Sequence, residues 1–313
     1  MLFSLPPLRI ARLLFELRPE TTLCLPVDER GNVLRGAFGT LLQHEMCKCG
    51  MPGARQMVHR PDCVYARLFE PRSGEGASFG AETAPRPFLF RPPIGADPEF
   101  TSQRPFRFEL RLFGAAIATF SHFIRAFQRV ARTGLADCAV RLESVKSLDF
   151  AGQTVAELFA DEIATHLSLH VCSFDEYPDL QTGGPEMTVE FVSPTLLKDG
   201  GRDVRVPTVG ALVRRVRDRI SLLCRIHEGR EWQADFGELG RLADQAVTTD
   251  WEGSWIQSSR HSTRTGQEMR LAGFRGRVEY ANVEPELWPL LAIGQELHVG
   301  RHAVWGHGWY RLG

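Results

Sequence analysis

Lysine is almost absent from this sequence. Only Lys48, Lys146 and Lys198 occur in 313 residues, so nearly all the positive charge is arginine. Also missing is any apolar run approaching the roughly 18 residues that a membrane helix requires. Met1 to Arg12 lacks the basic region, long apolar core and small-residue cleavage site of a signal peptide. No membrane partner and a soluble, cytoplasmic location are therefore expected. The seven cysteines, odd in number and scattered from Cys24 to Cys224, do not make a disulfide framework and suit a reducing compartment. An excess of charge is lacking too. At a net charge of −1 the total gives no argument for nucleic acid.

Present instead is enough apolar material, 43% of residues, to bury a core, over a length that suggests two domains. The arginine bias fits phosphate recognition through a planar fork, and genomic base composition produces the same bias. Its clustering is more specific. Gly201 to Arg219 holds six arginines against Asp203 and Asp218, and Ser254 to Asn282 holds Arg260, Arg264, Arg270, Arg275 and Arg277 against Glu268 and Glu279. Acidic residues gather between Glu228 and Glu252. That split makes one face a candidate polyanion surface.

Periodicity orders the chain. Leu8 to Leu17 reads as a strand, and Leu34 to Met46 has helical apolar spacing. Cys47 to Ala84 is irregular. Pro87 to Phe90 is a short strand, Phe106 to Phe113 alternates almost strictly, Ile117 to Arg132 is helical, and Ala139 to Leu148 is a strand. A short helix is expected over Val155 to His166, with His166 and His170 on its surface. The second half reads as strand Met187 to Val192, helix Val209 to Ile226, helix Phe236 to Val247, strands Trp251 to Gln257 and Met269 to Ala281, helix Glu284 to Ile293, and strand runs Glu296 to Val299 and Trp309 to Leu312. With Phe236 to Val247 as an extra helix, both halves follow strand, helix, strand, strand, helix, strand. The fold class expected is α+β, two tandem ferredoxin-like (RRM-like) domains with an irregular Cys/His-containing insertion in the first. The expected limits are 1–150 with the insertion at about 47–85, a connecting segment 151–185, and 186–313.

Two stretches carry chemistry. Between the last two strand runs lies a loop with Gly300, Gly306 and Gly308 and the basic residues Arg301, His302 and His307. Such a loop can bring bare backbone N–H groups to an anion such as phosphate, or simply make a flexible hairpin turn. In the irregular insertion, His44-x2-Cys47-x-Cys49-x9-His59-x3-Cys63 offers five ligands for zinc, although Cys47-x-Cys49 is tighter than the usual spacer. Trp251, Trp255, Trp288 and Trp305 could stack on unpaired bases or belong to the core.

Four stretches together resemble the CRISPR-associated endoribonucleases that process precursor CRISPR RNA, members of the repeat-associated mysterious protein (RAMP) superfamily. They are Leu34-Arg35-Gly36-Ala37-Phe38-Gly39; Cys63 and Tyr65 with Leu68-Phe69-Glu70-Pro71; Ser259 to Arg264 with Gly273-Phe274-Arg275-Gly276; and the terminal glycine loop. The resemblance implies tandem ferredoxin-like domains and cleavage of one phosphodiester in the CRISPR repeat without a required cofactor. The ribose 2′-hydroxyl attacks its own phosphate, leaving a 2′,3′-cyclic phosphate and a 5′-hydroxyl. Such a site needs a base, an acid and cations for the phosphate, and histidine suits the first two roles. The family's histidine follows the first helix, where His44 and His59 stand. The assisting lysine of relatives has only Lys48 as a counterpart. Arg35, Arg260, His261, Arg264, Arg275, Gly300, Arg301, His302, Gly306, His307 and Gly308 are the implied RNA contacts. If zinc takes His44 or His59, that residue is not the base. A non-cleaving RAMP subunit within a CRISPR effector complex, and an RNA-binding protein with a zinc-stabilised insertion, are the alternatives. The partners expected are repeat RNA and other effector-complex subunits, not DNA.

Overall fold

Alternation in the first half produces one sheet. The computed structural model describes residues 2–47, 49, 59–71, 84–160, 163–164, 168–177, 182–261 and 268–313. Lys48, His166 and Arg264 lie outside these, as do the side chains of Arg260, His261 and Arg270. The described chain falls into two compact bodies. One comprises residues 9–173 with 226–228, the other 1–8, 174–225 and 229–313.

The first body contains β1 (Arg9–Pro19), β2 (Leu23–Cys24), α1 (Arg30–Met46), α2 (Val64–Phe69), β3 (Phe88–Arg91), β4 (Glu99–Phe100), β5 (Phe106–Phe113), α3 (Phe120–Thr133), β6 (Val140–Leu148), β7 (Thr154–Ala160), β8 (Ile163–Ala164) and β9 (Cys172–Ser173). Its main sheet runs β3-β5-β1-β6-β7-β8, with β9 against the start of β1 and β2 paired with β4 apart from it. The neighbours β3, β5, β1 and β6 are antiparallel. With α1 between β1 and β3, and α3 between β5 and β6, this is the ferredoxin-like arrangement.

Period-2 patterning sends Leu13, Phe15 and Leu17 of β1, and Phe106, Phe108 and Leu110 of β5, to the helix-covered face. Leu34, Phe38 and Leu42 of α1, four apart, meet them together with Phe123, Phe127 and Val130 of α3. Phe38 stacks on Phe123 with ring centroids 4.1 Å apart, and Phe15 stacks on Phe108 at 5.1 Å. Such pairs add about 0.5–1.5 kcal/mol each beyond their burial.

The opposite face holds charge. Glu109 lies 2.6 Å from Arg12, 2.9 Å from Arg111 and 4.0 Å from Arg91. Burial alone would raise its pKa, but Arg111, Arg12 and Arg91 outweigh that and hold the carboxyl well below the usual range.

The second body repeats the plan with β10 (Met187–Thr195), β11 (Leu197–Asp199), β12 (Arg202–Val204), α4 (Val209–Leu223), α5 (Phe236–Ala243), β13 (Val247–His261), β14 (Glu268–Ala281), α6 (Trp288–Leu297) and β15 (Tyr310–Leu312). Its sheet order, β13-β14-β10-β15, matches β3-β5-β1-β6 strand for strand. The Thr208 side chain caps α4 by accepting from Ala211 N at 3.2 Å, and Asp235 caps α5 by accepting from Glu238 N at 2.9 Å, satisfying N–H groups that a helix start leaves open. Val213, Val216 and Ile220 of α4 and Leu290, Leu291 and Ile293 of α6 are buried.

Two sequence expectations change. Residues 154–160 form strand β7 against β6, not the start of a helix, because β6 exposes an edge whose ladder groups need partners. Glu296 to Val299 is not a strand. Glu296 and Leu297 complete α6, where Leu297 extends the buried stripe from Ile293, and His298 at φ 56° stops the helix.

Candidate functional site

The exposed His44 occupies the last turn of α1, and three residues later the chain enters a cluster of sulfur and nitrogen donors. Cys47 Sγ lies 3.4 Å from His59 Nδ1 and 3.8 Å from Cys63 Sγ, while Cys63 Sγ is 3.6 Å from the same nitrogen. The Arg60 N–H donates to Cys49 Sγ at 3.2 Å. The four donor atoms of Cys47, Cys49, His59 and Cys63 all fall within 4.8 Å of one another and could hold a metal ion. His44, the fifth residue of the sequence pattern, does not join them. His59 Nε2 points towards Glu70, 3.7 Å away. Burial pushes the Cys63 thiol up to about 11, whereas the Arg60 N–H lowers the pKa of Cys49.

Beside the same stretch of α1 is a groove that sequence reading missed. A cavity of about 260 Å³ has an apolar floor of Leu41, Leu42 and Met46 from α1, and a wall of His122, Arg125, Arg129 and Arg132 from α3. Their spacing of three and four puts these basic residues on one helix face, and all three arginines are exposed. His122 is held below its ordinary pKa by burial and by the neighbouring Arg125. The groove can take a phosphate backbone along the arginines while leaving the floor for a base or sugar. The signal was legible as 122/125/129/132, but the apolar stripe of the same helix hid it.

Arginine elsewhere is mostly committed. In the 201–219 cluster, Arg214 pairs with Asp199 and Asp244, and Arg215 and Arg217 both pair with Asp218. Arg219 is half-buried and donates to Leu297 O at 2.7 Å, a cation placed at the C-terminus of α6. Burial pushes its pKa down to about 10. Arg205 lies over the ring of Trp255, 4.4 Å from its centroid. This cluster is therefore structural in large part, and the expected polyanion face is smaller than the charge count suggests. Arg35 sits 5.2 Å above the Phe69 ring. Arg275 is half-buried on β14, opposite Ser254.

The terminal loop folds on itself. Gly300, Gly306 and Gly308 have φ of 74°, 81° and 71°. Val299 N donates to Gly308 O, Gly308 N to Pro194 O and Arg301 N to Leu196 O, at 2.9–3.1 Å. A Cβ on Gly308 would meet Val299 O at 1.8 Å. Gly306, His307 and Gly308 are buried, and the glycines at 300 and 308 serve close backbone packing, Gly300 against Leu196 and Gly308 against Val299. Arg301 is exposed, and the half-buried His302 stacks on Trp305 at 4.5 Å. Sequence reasoning also passed over His298, fully buried, whose Nδ1 lies 3.1 Å from His307 O. Of the tryptophans, Trp288 and Trp305 are buried and Trp251 is 51% exposed.

Against known proteins, a family model described as an N-terminal domain (AF_1859_N) matches residues 8–169, and one described as CRISPR-associated endoribonuclease Cas6 matches residues 189–310. An uncharacterized protein of Archaeoglobus fulgidus is 23% identical over 286 residues, 90% of this chain and 91% of that one. Among solved structures, Thermus thermophilus Cas6 (TTHB231) superposes with a TM-score of 0.54 at 15% identity, over 98% of this chain and 99% of that one. A partial Cas6-RT-Cas1–Cas2 complex gives 0.57 at 15% identity, over 100% of this chain and 47% of that one. The two family matches are consecutive and follow the two ferredoxin-like bodies in order. The chain belongs to the family of the AF_1859_N domain, which spans half of it, and its second body is similar to CRISPR-associated endoribonuclease Cas6. The Cas6 family is one of CRISPR-associated endoribonucleases. No helix among the described residues is long and apolar enough to cross a membrane.

Proposed function

We propose that this chain cleaves precursor CRISPR RNA once within the repeat, by attack of the 2′-hydroxyl on the adjacent phosphate. The 2′-oxygen forms a new P–O bond as the 5′-oxygen leaves, giving a 2′,3′-cyclic phosphate and a 5′-hydroxyl. One proton leaves the attacking hydroxyl and one reaches the departing oxygen, so no metal or other cofactor is needed for the reaction. The observation that carries this reading is the exposed His44 in the last turn of α1, the helix whose Leu41, Leu42 and Met46 line the basic groove of α3, in a chain whose second body matches the Cas6 model. An imidazole suits proton transfer to and from the reacting oxygens, and arginines suit a phosphate gaining charge. His44 is assigned the acid/base role. His59 is the poorer choice because both its ring nitrogens face partners. Arg125, Arg129 and Arg132 hold the backbone near the cut, and Arg301 and His302 add contacts from the terminal loop. Arg260 and His261, at the end of β13, and Arg264 are assigned to the RNA as well.

Incubating the purified chain with repeat RNA in EDTA, and mapping both new ends, tests this. The expected result is one cut with a cyclic phosphate. Tight binding without any cut supports instead a RAMP subunit that holds CRISPR RNA in a complex. The likeness to a partial Cas6-RT-Cas1–Cas2 complex makes that the second reading.

A further inference from the structure

We propose that Cys47, Cys49, His59 and Cys63 bind one structural zinc ion. The argument begins with distances. A tetrahedral zinc with Zn–S near 2.3 Å and Zn–N near 2.0 Å sets neighbouring sulfurs about 3.8 Å apart and sulfur and nitrogen about 3.5 Å apart. The observed separations are 3.8 Å for Cys47 to Cys63, and 3.4 and 3.6 Å from the two sulfurs to His59 Nδ1. A disulfide between Cys47 and Cys63 does not account for them, because bonded sulfurs stand at about 2.05 Å. Three thiols and an imidazole gathered within 4.8 Å are too many for a hydrogen-bonded pair and the right number for a closed tetrahedron.

Donor chemistry selects the ion. Thiolate and imidazole favour zinc over magnesium or calcium. Binding displaces the three thiol protons and leaves His59 neutral, its Nδ1 on the metal and its Nε2–H directed at Glu70 Oε2, 3.7 Å away. A carboxylate behind a ligating histidine orients the ring and raises its basicity. All four positions are filled by protein, so the ion holds structure and has no open place for water or RNA.

The local fold explains why a metal is needed there. Helix α2 has six residues, too few to hold together alone, and it begins immediately after Cys63. It packs on α1 through Phe69, whose ring lies 5.5 Å from Phe38 and so close to Gly39 that a Cβ there would meet it at 2.7 Å. Cys47 caps the C-terminus of α1. One ion thus ties the end of α1 to the start of α2 and fixes the turn that carries His44. That last consequence rests on the role proposed for His44; the metal site does not.

The test reads metal, not cleavage, so it fails or succeeds independently of the nuclease reading. Full-length chain is purified without added metal, and its zinc is measured by mass spectrometry and by release with an organomercurial. One zinc per chain is expected, lost in Cys47→Ser and Cys63→Ser and retained in His44→Ala. In case the serine variants do not fold, reduced wild-type chain stripped of metal is titrated with Co²⁺. The intense visible bands and thiolate charge transfer of a tetrahedral sulfur site should saturate at one equivalent and disappear on adding zinc. Purified chain with less than about a tenth of an equivalent of zinc, together with no such cobalt spectrum, overturns the proposal. So does zinc that stays in full amount in the folded serine variants.

Discussion

Replacing Gly308 by alanine should damage the fold before it touches RNA binding. At φ 71° a residue with a Cβ pays about 1–2 kcal/mol for the left-handed conformation. The added carbon would lie 1.8 Å from Val299 O, more than an ångström inside normal contact, so the two segments must separate. Separation endangers the bonds from Val299 N to Gly308 O and from Gly308 N to Pro194 O, each contributing about 0.5–1.5 kcal/mol. The sum is about 2–5 kcal/mol, a large part of a domain's stability. Urea unfolding of Gly308→Ala beside wild type measures it. Arg301→Ala, which removes only an exposed charge, should leave the unfolding curve within about 0.5 kcal/mol and weaken RNA binding. A Gly308→Ala chain as stable as wild type but unable to bind RNA would refute this reasoning and make the glycine a direct phosphate contact.

Glu109→Gln leaves Arg12, Arg111 and Arg91 without their shared carboxylate and should cost about 3–5 kcal/mol at pH 7, measured by denaturant unfolding. Because the folded-state pKa of Glu109 lies below its unfolded value, its stabilisation is complete above about pH 5 and is lost as pH falls towards the folded pKa. The gap between the variant and wild type should therefore narrow in acid. A gap that widens in acid contradicts the sign. Arg125→Ala and Arg132→Ala should each reduce the salt slope of RNA binding by about 1 without changing the unfolding midpoint. Unaltered slopes would remove the α3 groove from the RNA path.

Where a local pattern had one physical meaning, the sequence already contained the fold. Phe106 to Phe113 is bounded as its alternation predicts, since every second residue faces the helices. The apolar spacing of α1 and α4 likewise marked helices, although α1 begins at Arg30 rather than Leu34 and α4 ends at Leu223 rather than Ile226, and the order of elements gave both ferredoxin-like units. Short patterns failed because neighbours decided them. Val155 to Ala160 joined an open sheet edge, and Glu296 to Val299 was too short for alternation to outweigh the last turn of α6. In the terminal loop, composition revealed that positive φ was required but not that Gly300 and Gly308 use it to approach Leu196 and Val299. The arginine count in 201–219 could not disclose that Asp199, Asp218 and Asp244 neutralise much of it from other turns and elements. Four of the five Cys/His positions converge as the spacing allowed; the exclusion of His44 follows from three-dimensional placement on an exposed helix turn.

The measurement that bears most directly on the central claim is single-turnover cleavage of repeat RNA by wild type and His44→Ala, in EDTA, at enzyme concentrations that saturate binding in both. General acid–base catalysis by one histidine predicts a rate loss of about 10²–10⁴, with RNA affinity and zinc content unchanged and the residual product still ending in a 2′,3′-cyclic phosphate. An equal rate in the variant, or a wild-type chain that binds the repeat and never cuts it, would contradict the account.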